Sequence, residues 1–281
     1  MSKKVKILLI IIFALLFLAS LCTVLYPYIS NYLADQRQAA VVSQYESEVE
    51  TVQDAEISAI LEAARDYNAA LAGGQADSVA DYDDLLNLTG SGIMGIVTIP
   101  PIGVELPIYH GTQSLELGAL HLQGTSLPVG GKSTHCVISA HSGMSTEVMF
   151  TDLDQLAEGD VFYMKVSSET LAYEVDRILT VLPDDTDPLM IVPGEDYCTL
   201  LTCTPYGVNT HRLLVRGHRI AYDPNDAGVI EQTPANKKQS TWMQQYLRGI
   251  LCGFIFVFLG AIAVICVALL RKRKRRTNNE R

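Results

Sequence analysis

Two uncharged apolar runs, one near each end of the chain, bracket a stretch in which polar and hydrophobic positions alternate. No residue from Ile7 to Ala34 is charged, and none is from Gly249 to Leu270. Each run can cross a hydrocarbon core of about 30 Å as a helix. The first predicts a membrane helix over residues 7–30, continuing through Leu25 to aromatic anchors ending at Tyr28. Ala19, Ser20 and Cys22 would also suit the end of a cleaved signal peptide, but a retained span is the expectation. The second run predicts a span over 247–270. Between them, Val42, Tyr45, Val49, Val52, Ile60, Ala64, Tyr67 and Leu71 recur mainly at steps of three and four, so 35–71 reads as amphipathic helix. Gly73, Gly74 and the polar residues to Asp84 then form a loop, completing a helical region with a loop over 31–91.

From Gly92 the period becomes that of strands. Ile93–Ile99, Val104–Tyr109, His135–Ala140, Val161–Val166, Leu171–Leu182, Tyr197–Cys203 and Leu213–Tyr222 are short β-branched or aromatic runs punctuated by Gly, Pro, Asp and Asn. Only short helices fit between them, such as Thr151–Leu156. Seven or so strands without crossover helices predict a mostly β domain over 92–222, closed or sandwiched and antiparallel. Residues 223–246 are polar, contain Pro224 and Pro234, and read as a linker.

Charge orients the chain. Lys3, Lys4 and Lys6 lie in the first segment, 1–6, and six consecutive basic residues from Arg271 open the tail, 271–281. Positive flanks stay in the cytoplasm, which predicts a two-pass membrane protein with both termini inside and residues 35–248 outside. The formal net charge of −10 understates the acidity of that outer part, which carries 11 basic against 30 acidic residues between Lys6 and Arg271. So negative a surface repels nucleic acid and attracts basic partners. A cytosolic globule and a DNA-binding protein are both excluded.

Six cysteines are present; Cys22, Cys252 and Cys266 fall in or beside the spans, leaving Cys136, Cys198 and Cys203 outside. Three cannot all be paired, so at least one exported thiol is free. Cys198 and Cys203 are five apart on one predicted strand, face opposite ways and cannot bond each other. A buried inert thiol is the plain reading of any one of them. There is no Cys-x-x-Cys and no His-Glu-x-x-His, so a zinc site has little support. Cys203 ends its strand and precedes Thr204-Pro205-Tyr206-Gly207, a turn where substrate can reach it. Nine residues on, a hairpin would return Arg212 near the sulfur, where a permanent cation stabilises a thiolate and can hold an oxyanion. A surface arginine paired with an aspartate fits that spacing equally well. An acid for the leaving amine must come from His110, His121, His135, His141, His211 or His218, and His141 sits at a strand end like that of Cys203.

The stretch Thr199-Leu-Leu-Thr-Cys203-Thr-Pro-Tyr-Gly-Val-Asn-Thr-His-Arg212-Leu-Leu-Val-Arg-Gly217 resembles the active-site hairpin of the sortases, and most of all their pilus-building class C. Gly95-Ile-Val-Thr-Ile-Pro-Pro-Ile-Gly, Leu106-Pro-Ile-Tyr-His-Gly-Thr, His121-Leu-Gln-Gly-Thr-Ser-Leu-Pro-Val-Gly-Gly and Ile138-Ser-Ala-His141 resemble the same group in the same order. The resemblance covers residues 92–222. It implies a closed sortase β-barrel and a cysteine transpeptidase that cuts Leu-Pro-x-Thr-Gly sorting signals between Thr and Gly. In that reading Cys203 is the nucleophile and His141 the general acid and base, with Arg212 stabilising substrate and oxyanion. The acceptor would be a pilin lysine, and no cofactor or metal would be required.

Class C members often carry a lid with Asp-Pro-aromatic ahead of the barrel. Here Asp77 lacks the proline and the aromatic, and Asp187-Pro188 and Asp223-Pro224 lack the aromatic, so the usual lid anchor is expected to be missing. Rival readings are a housekeeping-type sortase that anchors proteins to a peptidoglycan precursor, a signal-trimming hydrolase and a noncatalytic tethered surface protein. A tethered sortase substrate would need Leu-Pro-x-Thr-Gly just before its span, and residues 223–248 contain none.

Overall fold

The computed structural model describes residues 3–75, 81–111, 117–144, 146–223, 246–253 and 255. Helix α1 (Lys3–Val49) runs unbroken for 47 residues with Pro27 inside it. Its part from Ala14 onward is the one helix among the described residues that is long and apolar enough to cross a membrane. Helix α2 (Asp54–Ala72) follows after a four-residue break, with Asp54 and Glu56 complementing the positive helix N-terminus. The expectation of one helix over 35–71 is corrected at this break. The break keeps both apolar stripes in one buried core. Val42, Tyr45 and Val49 of α1 and Ile57, Leu61 and Ala64 of α2 are all buried in a shared core.

Eight strands follow: β1 (Ile93–Ile99), β2 (Val104–Tyr109), β3 (Ala119–His121), β4 (Thr134–Ser139), β5 (Val161–Val166), β6 (Glu169–Val181), β7 (Asp196–Thr204) and β8 (His211–Ile220). They close in the order β1-β2-β3-β4-β7-β8-β6-β5. Closure leaves no free sheet edge, so every strand pairs on both sides. The expected antiparallel sheet is corrected, because β2 pairs with β3 and β4 with β7 in parallel. The crossover from β4 to β7 is itself made of strands β5 and β6. Periodicity therefore carried no sign of it. Strand β3 has only three residues, too few for alternation to register, and the helix expected over Thr151–Leu156 is a single 3₁₀ turn at Leu153–Gln155.

Inward side chains such as Ile99, Ile108, Ile138, Phe162, Leu200 and Val215 are fully buried. Each removes apolar area worth about 1.5–3 kcal/mol from water. Gly217 of β8 is where packing tolerates no side chain: a Cβ there would lie 2.7 Å from Phe162 Cε1 and 2.9 Å from Tyr173 Cβ.

Residues 246–253 are helical. The remainder of the expected second span, the linker from 224 and the basic tail lie outside the described residues.

Candidate functional site

Strands β4, β7 and β8 lie side by side, and their ends build the site. Cys203 lies one residue from the end of β7, directly opposite Arg212 near the start of β8. Alternation along β7 turns Cys198, Leu200 and Thr202 inward, which sets Cys203 on the outer face, partly exposed. Arg212 faces the same way, since Leu213 and Val215 point into the core. Its guanidinium donates to the carbonyl oxygens of His211 (3.1 Å) and Asn209 (3.3 Å) and makes no ion pair with a carboxylate among the described residues.

His141 arrives from the other side. The parallel register of β4 on β7 runs to Ser139 opposite Leu201, and Ala140 N–H still donates to the Leu201 carbonyl at 3.2 Å. Thr202 Oγ1 donates to the Ala140 carbonyl at 2.8 Å and fixes the end of the ladder. Two more residues of this register set His141 level with Cys203 on the outer face. Gly143 (φ +81°) then turns the chain so closely under the β7–β8 turn that a Cβ would lie 3.2 Å from the Gly207 nitrogen. All three candidates meet at one rim, with the thiol between the imidazole-bearing strand end and the guanidinium.

The other histidines have structural partners. His121 is wholly buried; its Nε2 donates to the Ser126 carbonyl (2.9 Å) and its Nδ1 accepts from the Tyr82 hydroxyl (2.8 Å). Burial pushes its pKa down to about 4 and that of Tyr82 above the ordinary tyrosine range. His110 bridges the carbonyls of Gly92 and Leu85. His211 contacts Thr210 Oγ1, and His218 lies opposite Tyr197 in the β7–β8 ladder.

His135 has a role that spacing did not reveal. Its Nδ1 donates to the Met190 carbonyl (3.0 Å) and its Nε2 accepts from Thr199 Oγ1 (2.7 Å), so the neutral ring pins the β6–β7 segment to the outer face of β4 and β7. Burial lowers its pKa and favours that neutral form. The pinned segment starts beside Arg212, because Val181 is paired with it, and exposes Leu182, Met190 and Val192. Tyr206 and Val208 are exposed on the neighbouring turn. Of these, Leu182 follows the ladder partner of Arg212, and Tyr206 and Val208 follow Cys203 in the turn, whereas Met190 is held at His135, six positions down the ladder. Asp77, on which the lid expectation rests, lies outside the described residues.

A closed mixed barrel with thiol, imidazole and guanidinium side chains at one rim is of the sortase type. Residues 97–220 match the sortase domain model. Sortase C1 from Streptococcus agalactiae superposes with a TM-score of 0.63 at 42% identity, covering 66% of this chain and all of that one. A Clostridium perfringens sortase C, solved with its C-terminal cell wall sorting motif, gives 0.60 at 43% identity, with the same coverage. The Streptococcus pneumoniae sortase C gives 0.58 at 42%, covering 65% of this chain and 97% of that one. The chain belongs to the sortase family, and these structural neighbours are its class C members. Among sequence relatives, sortase A of S. agalactiae is 28% identical over 117 residues, which span 40% of this chain and 47% of that protein. Sortase A of Bacillus anthracis is 28% identical over 127 residues, 44% of this chain and 59% of that protein.

Proposed function

We propose that this chain is a membrane-tethered cysteine transpeptidase of the class C type, which joins the Thr end of a sorting signal to a lysine amine of a pilin subunit. The observation that carries the reading is the register pair of Cys203 with Arg212, with His141 level on the adjoining parallel strand. Cys203 attacks the Thr carbonyl while Arg212 donates to the developing oxyanion, and His141 protonates the departing glycine amine. A thioester links Thr to Cys203. The acceptor amine, relieved of a proton by His141, then attacks the thioester, forms the isopeptide bond and returns the thiol. The C. perfringens relative solved with its sorting motif supports a Leu-Pro-x-Thr-Gly-like donor. Exposed Leu182, next to Arg212's ladder partner, and Tyr206 and Val208 on the turn after Cys203 suit its Leu-Pro end. The N-terminal helix α1, and the apolar run at 247–270 with its basic flank, would hold the barrel at the outer membrane face.

Intact-mass analysis of the full chain with a Leu-Pro-x-Thr-Gly peptide tests this. Wild type should gain the mass of the peptide minus its glycine-led tail, and a lysine-bearing acceptor should discharge it. Cys203→Ala should gain nothing. An adduct surviving in Cys203→Ala would overturn the assignment. Discharge only by a peptidoglycan-stem amine would favour the housekeeping role.

A further inference from the structure

The exported domain holds two cysteines besides Cys203, and the fold makes them neighbours. Cys136 of β4 and Cys198 of β7 are direct partners in the parallel ladder, both point into the barrel, and each is almost wholly buried. Both are thiols in this structure, close enough to share a side-chain hydrogen bond. Adjacent strands lie about 4.8 Å apart, inside the roughly 4.4–6.8 Å that a disulfide spans between Cα atoms. Each cysteine sits five residues before a candidate catalytic residue: Cys136 before His141 on β4, Cys198 before Cys203 on β7. Five residues on a strand reverse the facing. The inward sulfurs therefore form the rung beneath the outward imidazole and thiol.

We propose that Cys136 and Cys198 form a disulfide in the exported protein, a covalent rung that locks the register of β4 on β7. The bond would resolve the odd count of exported thiols by pairing the two inward ones and leaving Cys203 free. It forms by thiol–disulfide exchange with an oxidant of the disulfide class outside the membrane. One cysteine thiolate attacks a sulfur of that disulfide and expels a thiol. The second then attacks the mixed disulfide and expels the other. The protein loses two electrons and two protons in all, and the oxidant leaves as two thiols. Exchange precedes barrel closure, because burial raises the Cys136 thiol well above its ordinary pKa and shields both sulfurs once the core has packed. In the closed barrel the same burial protects the bond from reductants. The consequence for holding His141 level with Cys203 rests on the transpeptidase reading above; the bond itself does not.

Thiol mapping of the full chain separates the two. Cells exporting it are lysed into iodoacetamide under denaturing, nonreducing conditions, and the digested protein is read by mass spectrometry. The expected result is a Cys136–Cys198 cross-linked peptide, two hydrogens lighter than its reduced parts, with Cys203 alkylated. Alkylation of all six cysteines without reductant would overturn the proposal, as would a link from either cysteine to Cys203. Cys136→Val and Cys198→Val each retain a core-sized apolar side chain. If the rung exists, both variants and the double variant should melt lower by a similar amount, about 5–10 °C. Unchanged melting of all three would mean that the pair is packing alone. Neither readout requires activity, so failure of the transpeptidase reading would leave the mapping interpretable.

Discussion

At the scale of single residues, His121 shows how the same side chain type serves opposite ends. Its ring is spoken for on both sides, with Nε2 donating to a carbonyl and Nδ1 accepting from Tyr82, and only the neutral tautomer satisfies both. Protonation would set a second N–H against the tyrosine hydroxyl inside the core. The folded pKa of about 4 lies below the ordinary 6.5, so the unfolded chain takes up the proton first as pH falls. The contribution of His121 is therefore complete above about pH 6.5 and drains as pH falls toward 4, by on the order of 3 kcal/mol. Urea unfolding at pH 7.5, 6 and 5 would measure this. His121→Gln should begin less stable yet lose less with acid. An equal slope in both proteins would show that other groups set the acid sensitivity. His141 has no such pair of core partners among the described residues and is partly exposed at the rim.

At the scale of elements, α2 is fixed to the barrel by one polar side chain as well as by its apolar stripe. Asn68 is buried, and its amide acts like a strand residue: Nδ2 donates to the Leu127 carbonyl (3.1 Å) and Oδ1 accepts from the Leu127 N–H (2.7 Å). Asn68→Ala would strand both backbone groups away from water. The expected loss is about 2 kcal/mol, read as a lower urea midpoint with an unchanged slope. A loss below a few tenths would mean that water replaces the amide. Nothing in the sequence marks Asn68, because a polar residue in an amphipathic helix ordinarily belongs to the solvated face. Strand positions, by contrast, were legible: β1, β2 and β5 have the expected bounds, since each is a short run rich in β-branched or aromatic residues set between turn residues. The order of strands was not. Pairing β4 with β7 joins residues about sixty positions apart, a non-local choice that local patterning does not encode. The meeting of His141 with the Cys203–Arg212 hairpin depends on that choice. From the residues alone the hairpin pair was within reach and His141 was one strand-end candidate among six histidines, which the resemblance then singled out.

At the scale of the whole molecule, α1 joins the two halves of the design. Its lower part is buried by apolar contacts through Val42, Tyr45 and Val49, whereas its upper part meets the barrel through polar ones. Ser30 Oγ donates to the Thr146 carbonyl (3.3 Å), Arg37 pairs with Glu147 (3.6 Å) and Gln38 Nε2 donates to the Leu117 carbonyl (2.9 Å). Thr146 and Glu147 belong to the segment that leaves His141 and returns at Phe150, whose N–H donates to the His141 carbonyl at 3.0 Å. The helix predicted to leave the membrane thus braces the segment after the candidate acid–base. In the proposed function, a tether this near the rim would leave the acceptor to arrive from the outside, across a strongly acidic domain. If its lysine is drawn by that field, attraction acts over about 10 Å at 0.1 M salt and about 3 Å at 1 M. KM for a lysine-bearing acceptor should rise several-fold between 50 and 500 mM NaCl, while KM for an uncharged donor peptide stays level. Reversing acidic surface residues away from the rim, such as Glu158 and Glu174, should raise acceptor KM at low salt and leave kcat alone. A salt-independent acceptor KM would mean that recognition is by contact at the rim, and the acidity would then serve only solubility.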